Sequence, residues 1–363
     1  MNKKIIYVSN SVVPSFQANS VHVINMSKAF DKLGVLESIY VYKGKNFEAL
    51  YNHYDIKKKI KIICYFLAPA PFLNLIEALF TLVRTKKKYF IFGRNVKICL
   101  FCALFGRNVL LEVHQPLKFL TISEKFLLFL AIKLKKIQNI VCISNALKKI
   151  LEKELNNKEI KVYVLPDAGN ETNKFRFNKI KNSKIGYTGS LIKGRGIEII
   201  FKLAKELEKI EFHIAGGNEY IIGEMTRKKP KNLFFHGYLN QKNLEHFRLS
   251  MDVLIAPYQN DTSVLGGKIT TDWMSPLKIF EYMSAKKPII VSNIKVLNEI
   301  LTHKKNCMMV KPNSITQWKN TINYVLKEKN LSYKLAQQAH KDFLNKFTWE
   351  QRAKRVVEIL NFK

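Results

Sequence analysis

The sequence predicts an α/β protein of two successive domains, each a doubly wound parallel sheet. Three observations predict it. Apolar runs of strand length alternate with stretches of helical period along most of the chain. A polar, aperiodic break at residues 167–183 interrupts that alternation. The length, 363 residues, suits two cores better than one. Ligands of such sheets sit at the carboxyl ends of strands. Two such domains in tandem are therefore expected to face a central cleft lined by the loops that follow strands.

The elements follow in order. Residues 4–8 read as a buried strand and 9–19 as a loop. Ser20 caps a helix carrying Val23, Met26 and Phe30, and Gly34 ends it. Further strands are expected at 35–42, 61–66, 89–92, 109–113, 139–143 and 162–165. Helices are expected at 72–84, 96–104, 123–136 and 144–155. After the break, strands are expected at 184–187, 211–215, 233–235, 253–257, 288–291 and 307–310. The helices between and after them fall at 196–207, 241–250, from Ser275 on, 294–301, 314–327 and 332–347. The domains are set at 1–170 and 171–347, with 348–363 as a C-terminal helix packing back on the first domain.

At 47% apolar and 12% aromatic residues the chain can bury a large core and is not disordered. Five scattered cysteines, Cys64, Cys99, Cys102, Cys142 and Cys307, argue against a disulfide framework. Cys99 and Cys102 form a C-x-x-C in an apolar run with no second ligand pair, which reads as core packing. The apolar stretch 5–8 is too short for a signal peptide, and no uninterrupted apolar run reaches the length of a spanning helix. The formal net charge is +33. It implies an anionic partner: nucleic acid, a membrane surface or a small molecule. The charge is spread evenly, without a basic tail or an aromatic-basic RNA-binding pattern.

Four loops carry candidate chemistry. Ser275 is a good helix N-cap and Pro276 suits the first helical position, so free N–H groups near Leu277 and Lys278 would receive a phosphate. Glu281, further along the same helix, adds a carboxylate for ribose hydroxyls. The alternative is an ordinary amphipathic helix with Leu277, Phe280 and Met283 packed inward. Gly189-Ser190-Leu191-Ile192-Lys193-Gly194-Arg195-Gly196 follows a strand and opens a helix. Its glycines permit close backbone approach, and Lys193 and Arg195 supply cations for a diphosphate. The alternative is a tight turn with solvated bases. Gly216 and Gly217 end another strand and leave room for a ligand, or serve a turn. His114 ends a strand of the first domain at the expected cleft edge, or is a structural histidine.

In order and in context, these stretches resemble the retaining GT-B glycosyltransferases of family 4, the glycosyl transferases group 1. The resemblance is carried by Asn19-Ser20-Val21-His22-Val23, by 140–147 and 164–170, by 189–196, and by Ser275–Ser284 with 287–291. Phe347-Thr348-Trp349 before the last helix also matches. It implies two Rossmann-like domains, a nucleotide-sugar donor held by the second and a glycan or lipid-linked acceptor held by the first. It also implies retained anomeric configuration, with no metal and no cofactor besides the donor as substrate. Arg195 matches the loop Lys that stabilises the leaving diphosphate, Glu281 the ribose-binding Glu, and His114 the His beside the transferred sugar. Gly189 opens the loop, and Ser275, Pro276, Leu277 and Lys278 form the turn near the phosphates. Two positions depart from the family. Trp273 stands where a sugar-contacting Glu is expected, with Asp272 adjacent. Ser190 stands where the family has an Arg, leaving Arg195, Lys193 or Lys278 to neutralise the diphosphate.

Surface polysaccharide or lipopolysaccharide assembly in a bacterium is the expected setting. A GT-B nucleotide-sugar epimerase and a basic nucleic-acid-binding protein are the rival readings. Residues 124–136 are highly apolar and end in Lys133, Lys135 and Lys136. They read either as a surface for anionic lipid or as a buried core helix. The expected location is cytoplasmic, peripheral on the inner face of the plasma membrane.

Overall fold

The computed structural model describes residues 3–56, 58–65, 73–172, 183–227, 229–262 and 269–361. Most of the expected linker, 173–182, lies outside these residues, as do Phe66 and Phe72 at the ends of two expected elements. The chain divides into two compact units, Met1–Asp167 with Trp349–Lys363, and Ala168–Thr348.

In the first unit β1 (Ile5–Val13), α1 (Ala18–Lys32), β2 (Leu36–Lys43), α2 (Leu50–His53) and β3 (Ile62–Tyr65) are followed by α3 (Leu73–Arg84) and β4 (Phe90–Gly93). Then come α4 (Val96–Leu104), β5 (Asn108–Val113), α5 (Ile122–Lys133), β6 (Asn139–Cys142), α6 (Asn145–Leu155) and β7 (Lys161–Val164). The sheet is parallel, ordered β3-β2-β1-β4-β5-β6-β7. The order reverses beside β1, as in doubly wound folds.

The second unit holds β8 (Lys184–Thr188), α7 (Ile197–Glu206), β9 (Glu211–Ala215), α8 (Glu219–Thr226), β10 (Leu233–Phe235), α9 (Gln241–Ser250) and β11 (Val253–Ala256). It continues with α10 (Leu277–Ser284), β12 (Ile289–Ser292), β13 (Met308–Val310), α11 (Ile315–Lys327) and α12 (Lys329–Lys346). Its parallel sheet is ordered β10-β9-β8-β11-β12-β13. Ile185, Leu203, Phe212, Ile255, Ile290 and Trp318 are buried in its core. Both sheets have the doubly wound parallel architecture expected. The last helix, α13 (Trp349–Ile359), packs on α1 within the first unit.

Several expectations need correction. β1 runs on through residues expected as loop, because Ser9 and Ser11 satisfy each other with a 2.9 Å hydroxyl bond and need no solvent. Ser20 does not cap α1. Its hydroxyl donates back to the Ser15 and Gln17 carbonyls at 2.7 and 2.8 Å, and the N-cap lies three residues earlier, at Gln17. Helix α5 begins at Ile122 and ends at Lys133, inside the expected 123–136 save for its first residue, with Thr121 capping it in a capping box with Glu124. Residues 295–299 form a 3₁₀ turn instead of an α-helix. Helix α8, capped by Asn218 through a 2.9 Å bond from the Ile221 N–H, was not expected. Cys99 and Cys102 are free and buried on α4; burial pushes the Cys102 thiol up to about 12, so the pair packs the core.

Candidate active site

The second unit gathers its cations at the carboxyl ends of β8 and β11. These strands are neighbours, so Tyr187 at the end of β8 and Tyr258 just after β11 come together although 71 positions separate them. Both rings are fully buried. Lys278, in the first turn of α10, directs its ammonium group onto them. Nζ lies 3.9 Å from the centre of the Tyr187 ring and 5.0 Å from that of Tyr258. The rings supply cation–π attraction. Yet Nζ is buried with no hydrogen-bond partner among the described residues. Burial, then the nearby Arg195 charge, hold the Lys278 pKa well below its usual value. The Arg195 guanidinium carbon lies 5.4 Å from the Tyr258 ring centre. Two basic side chains thus share a largely desolvated site at a strand end.

Helix α10 is fixed to this site by Tyr282. Its hydroxyl accepts from the Thr188 N–H at 2.8 Å and donates to the Ile255 carbonyl at 3.3 Å, tying the helix to β8 and β11. Glu281, on the same turn, is paired with Arg248 of α9 at 3.1 Å. The helix start differs from expectation by one residue. Pro276 is the N-cap, with φ −80° and ψ 116°, and makes no side-chain cap bond. Ser275 stands outside the helix and is buried. Proline prefers extended backbone in the residue before it, which moves the helix start away from Ser275.

Glycines set the loop geometry. Gly189 has φ +138°, and a side chain there would meet Lys278 Nζ at 2.6 Å. Gly216 has φ +133°, and a Cβ would stand 2.0 Å from the Gly189 carbonyl oxygen. The room beside Gly216 is thus filled by the neighbouring loop, and that beside Gly217 by Leu191. Ser190 offers its carbonyl to the Tyr187 hydroxyl at 3.0 Å. Lys193 points to solvent, 85% exposed and 3.8 Å from Asp261. The structure therefore brings together Gly189, Ser190, Arg195, Lys278 and Glu281. Ser275, Pro276 and Leu277 lie at the start of α10, Gly216 and Gly217 buttress the loop, and Lys193 stands at the surface. Trp273 is buried and Asp272 is exposed.

The first unit places His114 just beyond β5, where its Nε2 lies 3.4 Å from Glu112 Oε1. Glu112 is fully buried on the strand. Arg352 of α13 donates to the same oxygen, and its guanidinium also donates to the Leu165 and Pro166 carbonyls at 3.1 and 2.8 Å. Arg94 Nε lies 4.0 Å from the second oxygen, and the Tyr7 hydroxyl donates to that oxygen at 3.4 Å. Burial opposes the Glu112 charge, but Arg352, His114 and His22 outweigh it and hold the carboxyl well below its usual range. An ionised carboxylate only accepts. Burial, then Arg94, lower His114, which is neutral at neutral pH. His22 bonds Asp167 at 2.8 Å, and burial with Arg94 lowers it to about 4.

Ligand atoms of His22, Glu112 and His114 lie within 4.8 Å of one another, a spacing that a metal ion could use. Arg352 and Arg94 already supply the positive charge there. A divalent cation beside two guanidinium groups would be repelled, so the cluster reads as a charge-balanced support for His114. Tyr187, Tyr258, Arg248, Glu112 and Arg352 were not singled out as site residues from sequence. Glu112 carried one usable signal: a carboxylate in an otherwise apolar strand must find a cation.

Residues 169–342 match the model of the family described as Glycosyl transferases group 1. An uncharacterised glycosyltransferase of Methanocaldococcus jannaschii is 24% identical over 311 residues, covering 79% of this chain and 76% of the relative. Among solved structures, a glycosyltransferase from Rickettsia africae ESF-5 superposes with a TM-score of 0.74 at 16% identity, over 99% of this chain and 98% of that one. HepE of Anabaena, solved in complex with UDP, gives 0.73 at 14% identity, over 98% and 99%.

Proposed function

Because its second unit carries a glycosyl transferases group 1 domain, which makes the chain a glycosyltransferase of GT-B fold, we propose that it moves a sugar from a nucleotide-sugar donor to a glycan or lipid-linked acceptor. The anomeric configuration is retained, and the setting is bacterial surface polysaccharide or lipopolysaccharide assembly. One observation carries the donor reading: the buried Lys278 side-chain nitrogen, without a hydrogen-bond partner among the described residues, beside Arg195 and Gly189. Burial disfavours the charged form of Lys278, and a diphosphate would supply the counter-charge that restores it. Lys278 would thereby fill the role left open at Ser190. HepE, a structural neighbour solved with UDP, makes uridine diphosphate the first nucleotide to try.

The chemistry then follows. The departing nucleoside diphosphate gains negative charge as its bond to the sugar breaks. Lys278 and Arg195, preplaced in a dry site, bind it more tightly in the transition state than in the ground state. Arg248 fixes the orientation of Glu281, whose carboxylate would accept from ribose hydroxyls. His114, whose charged form burial disfavours, would accept from a hydroxyl of the transferred sugar through a ring nitrogen. No protein nucleophile is assigned.

The test is turnover on a panel of nucleotide sugars, beginning with UDP-sugars. Arg195→Ala should lower kcat more than Glu281→Gln does, because Arg195 meets the developing charge and Glu281 the unchanging ribose. Equal turnover by Arg195→Ala and wild type would remove the donor assignment. Interconversion of free nucleotide sugars without acceptor would replace transferase by epimerase.

A further inference from the structure

Helix α3 is amphipathic in the wrong sense for a helix whose outer face meets water. Its inward side carries Glu77 and Thr81, both buried. Glu77 accepts from the Tyr42 hydroxyl at 2.7 Å, and Thr81 bonds the Tyr65 hydroxyl at 2.8 Å. Its outward side carries Ile76, Leu79 and Val83, with Val83 80% exposed. The spacing 76, 79, 83 places these on one stripe. Helix α5 also turns an apolar stripe outward: Leu128 and Ala131 point inward, while Ile122, Phe126 and Phe129 lie outward on one stripe, Ile122 being 89% and Phe126 65% exposed. Helix α4 packs against both α3 and α5, so the stripes belong to one helical layer. Scattered exposed apolar residues are ordinary, but two stripes on one layer are not.

The charges around them choose the occupant. Residues 73–136 contain twelve Lys and Arg but only three acidic side chains, Glu77, Glu112 and Glu124. All three are engaged within the protein: Glu77 by Tyr42, Glu112 by Arg352, and Glu124 in the capping box of α5. Lys86, Lys87 and Lys88 follow α3, and Lys133, Lys135 and Lys136 end α5; all six are exposed, Lys135 lying 3.9 Å from Glu159. No described helix is long and apolar enough to cross a membrane. We infer that the outer face of α3 and α5 lies on an anionic bilayer, with Ile122, Phe126, Phe129, Ile76 and Val83 in the interfacial zone and the lysines at the headgroups. Apolar burial and headgroup attraction act together in such anchors. This inference stands apart from the transferase reading, since it uses neither the donor site nor His114.

The test is flotation of the full chain with vesicles of mixed phosphatidylglycerol and phosphatidylcholine, against phosphatidylcholine alone. Wild type should float with the anionic vesicles only. Lys133→Glu/Lys135→Glu/Lys136→Glu should weaken this by about a hundredfold or more, taking roughly fivefold for each lysine neutralised. Ile122→Ser/Phe126→Ser/Phe129→Ser should abolish it while keeping the thermal midpoint and the turnover of water-soluble acceptor. Amide exchange on wild type offers a readout that needs no variant: vesicles should protect residues 75–84 and 122–133. Equal flotation with both vesicle types overturns the inference, as does protection elsewhere. A concentration-dependent dimer in light scattering, lost in the serine variant, would mean that a second copy covers this face instead.

Discussion

Lys278→Met should make the protein more stable and less active. Methionine keeps the length and apolar stem of lysine but removes the buried ammonium group. A buried polar group without a partner costs about 1–3 kcal/mol. The cation–π contacts with Tyr187 and Tyr258 return about 0.5–2 kcal/mol of that. The balance is a stabilisation of roughly 1 kcal/mol, which for a unit of this size raises the midpoint of thermal unfolding by about 2–4 °C. The pH dependence gives the sign independently. Lys278 has a folded pKa well below its unfolded value. Between the two values the unfolded chain binds more protons, so wild-type stability rises as pH climbs toward about 10. The variant should lack that rise. Activity should move the other way, with kcat falling by about 10²–10³, the usual loss when one preplaced donor to a developing negative charge is removed. Scanning calorimetry between neutral and alkaline pH, with turnover on the same preparation, reads both. A less stable variant, or unchanged kcat, would refute the reasoning.

Three further outcomes are expected. His22 has a folded value of about 4 against 6.5 unfolded; the unfolded state binds the extra proton in that window, so acidification from pH 6.5 to 4 should remove up to about 3 kcal/mol. His22→Asn should flatten that part of a denaturant-midpoint profile against pH. Arg352→Leu leaves Glu112 buried without its main partner and should cost about 3–5 kcal/mol in urea unfolding, with Glu112→Gln/Arg352→Leu recovering part of it. Gly216→Ala puts a methyl 2.0 Å from the Gly189 carbonyl at an unsuitable φ, so it should destabilise by about 2–4 kcal/mol and weaken nucleotide binding in calorimetric titration by displacing the Gly189 loop.

The strands were legible because buried parallel strands are short apolar runs; β11 and β12 stand out for this reason. β1 was cut short at Ser9 because local polarity cannot reveal that two serines will satisfy each other. Helix α8 was missed because its start depends on Asn218, which follows two glycines that read as turn. The donor-side residues Gly189, Arg195, Lys278 and Glu281 lay in recognisable loops. The residues that give them their character did not. Tyr187 meets Tyr258 through strand adjacency, and Glu112 meets Arg352 across 240 positions; neither pairing has a local signature. The face that α5 turns to solvent was equally hidden, because the helix is apolar nearly all round.

The central claim is that a nucleoside diphosphate binds where Lys278 and Arg195 converge. A crystal structure of the protein with uridine diphosphate tests it most directly. Diphosphate oxygens should lie at hydrogen-bond distance, about 3 Å, from Lys278 Nζ and the Arg195 guanidinium, with ribose hydroxyls on Glu281. A nucleotide bound elsewhere, leaving Lys278 against its two tyrosine rings without an anion, would contradict it.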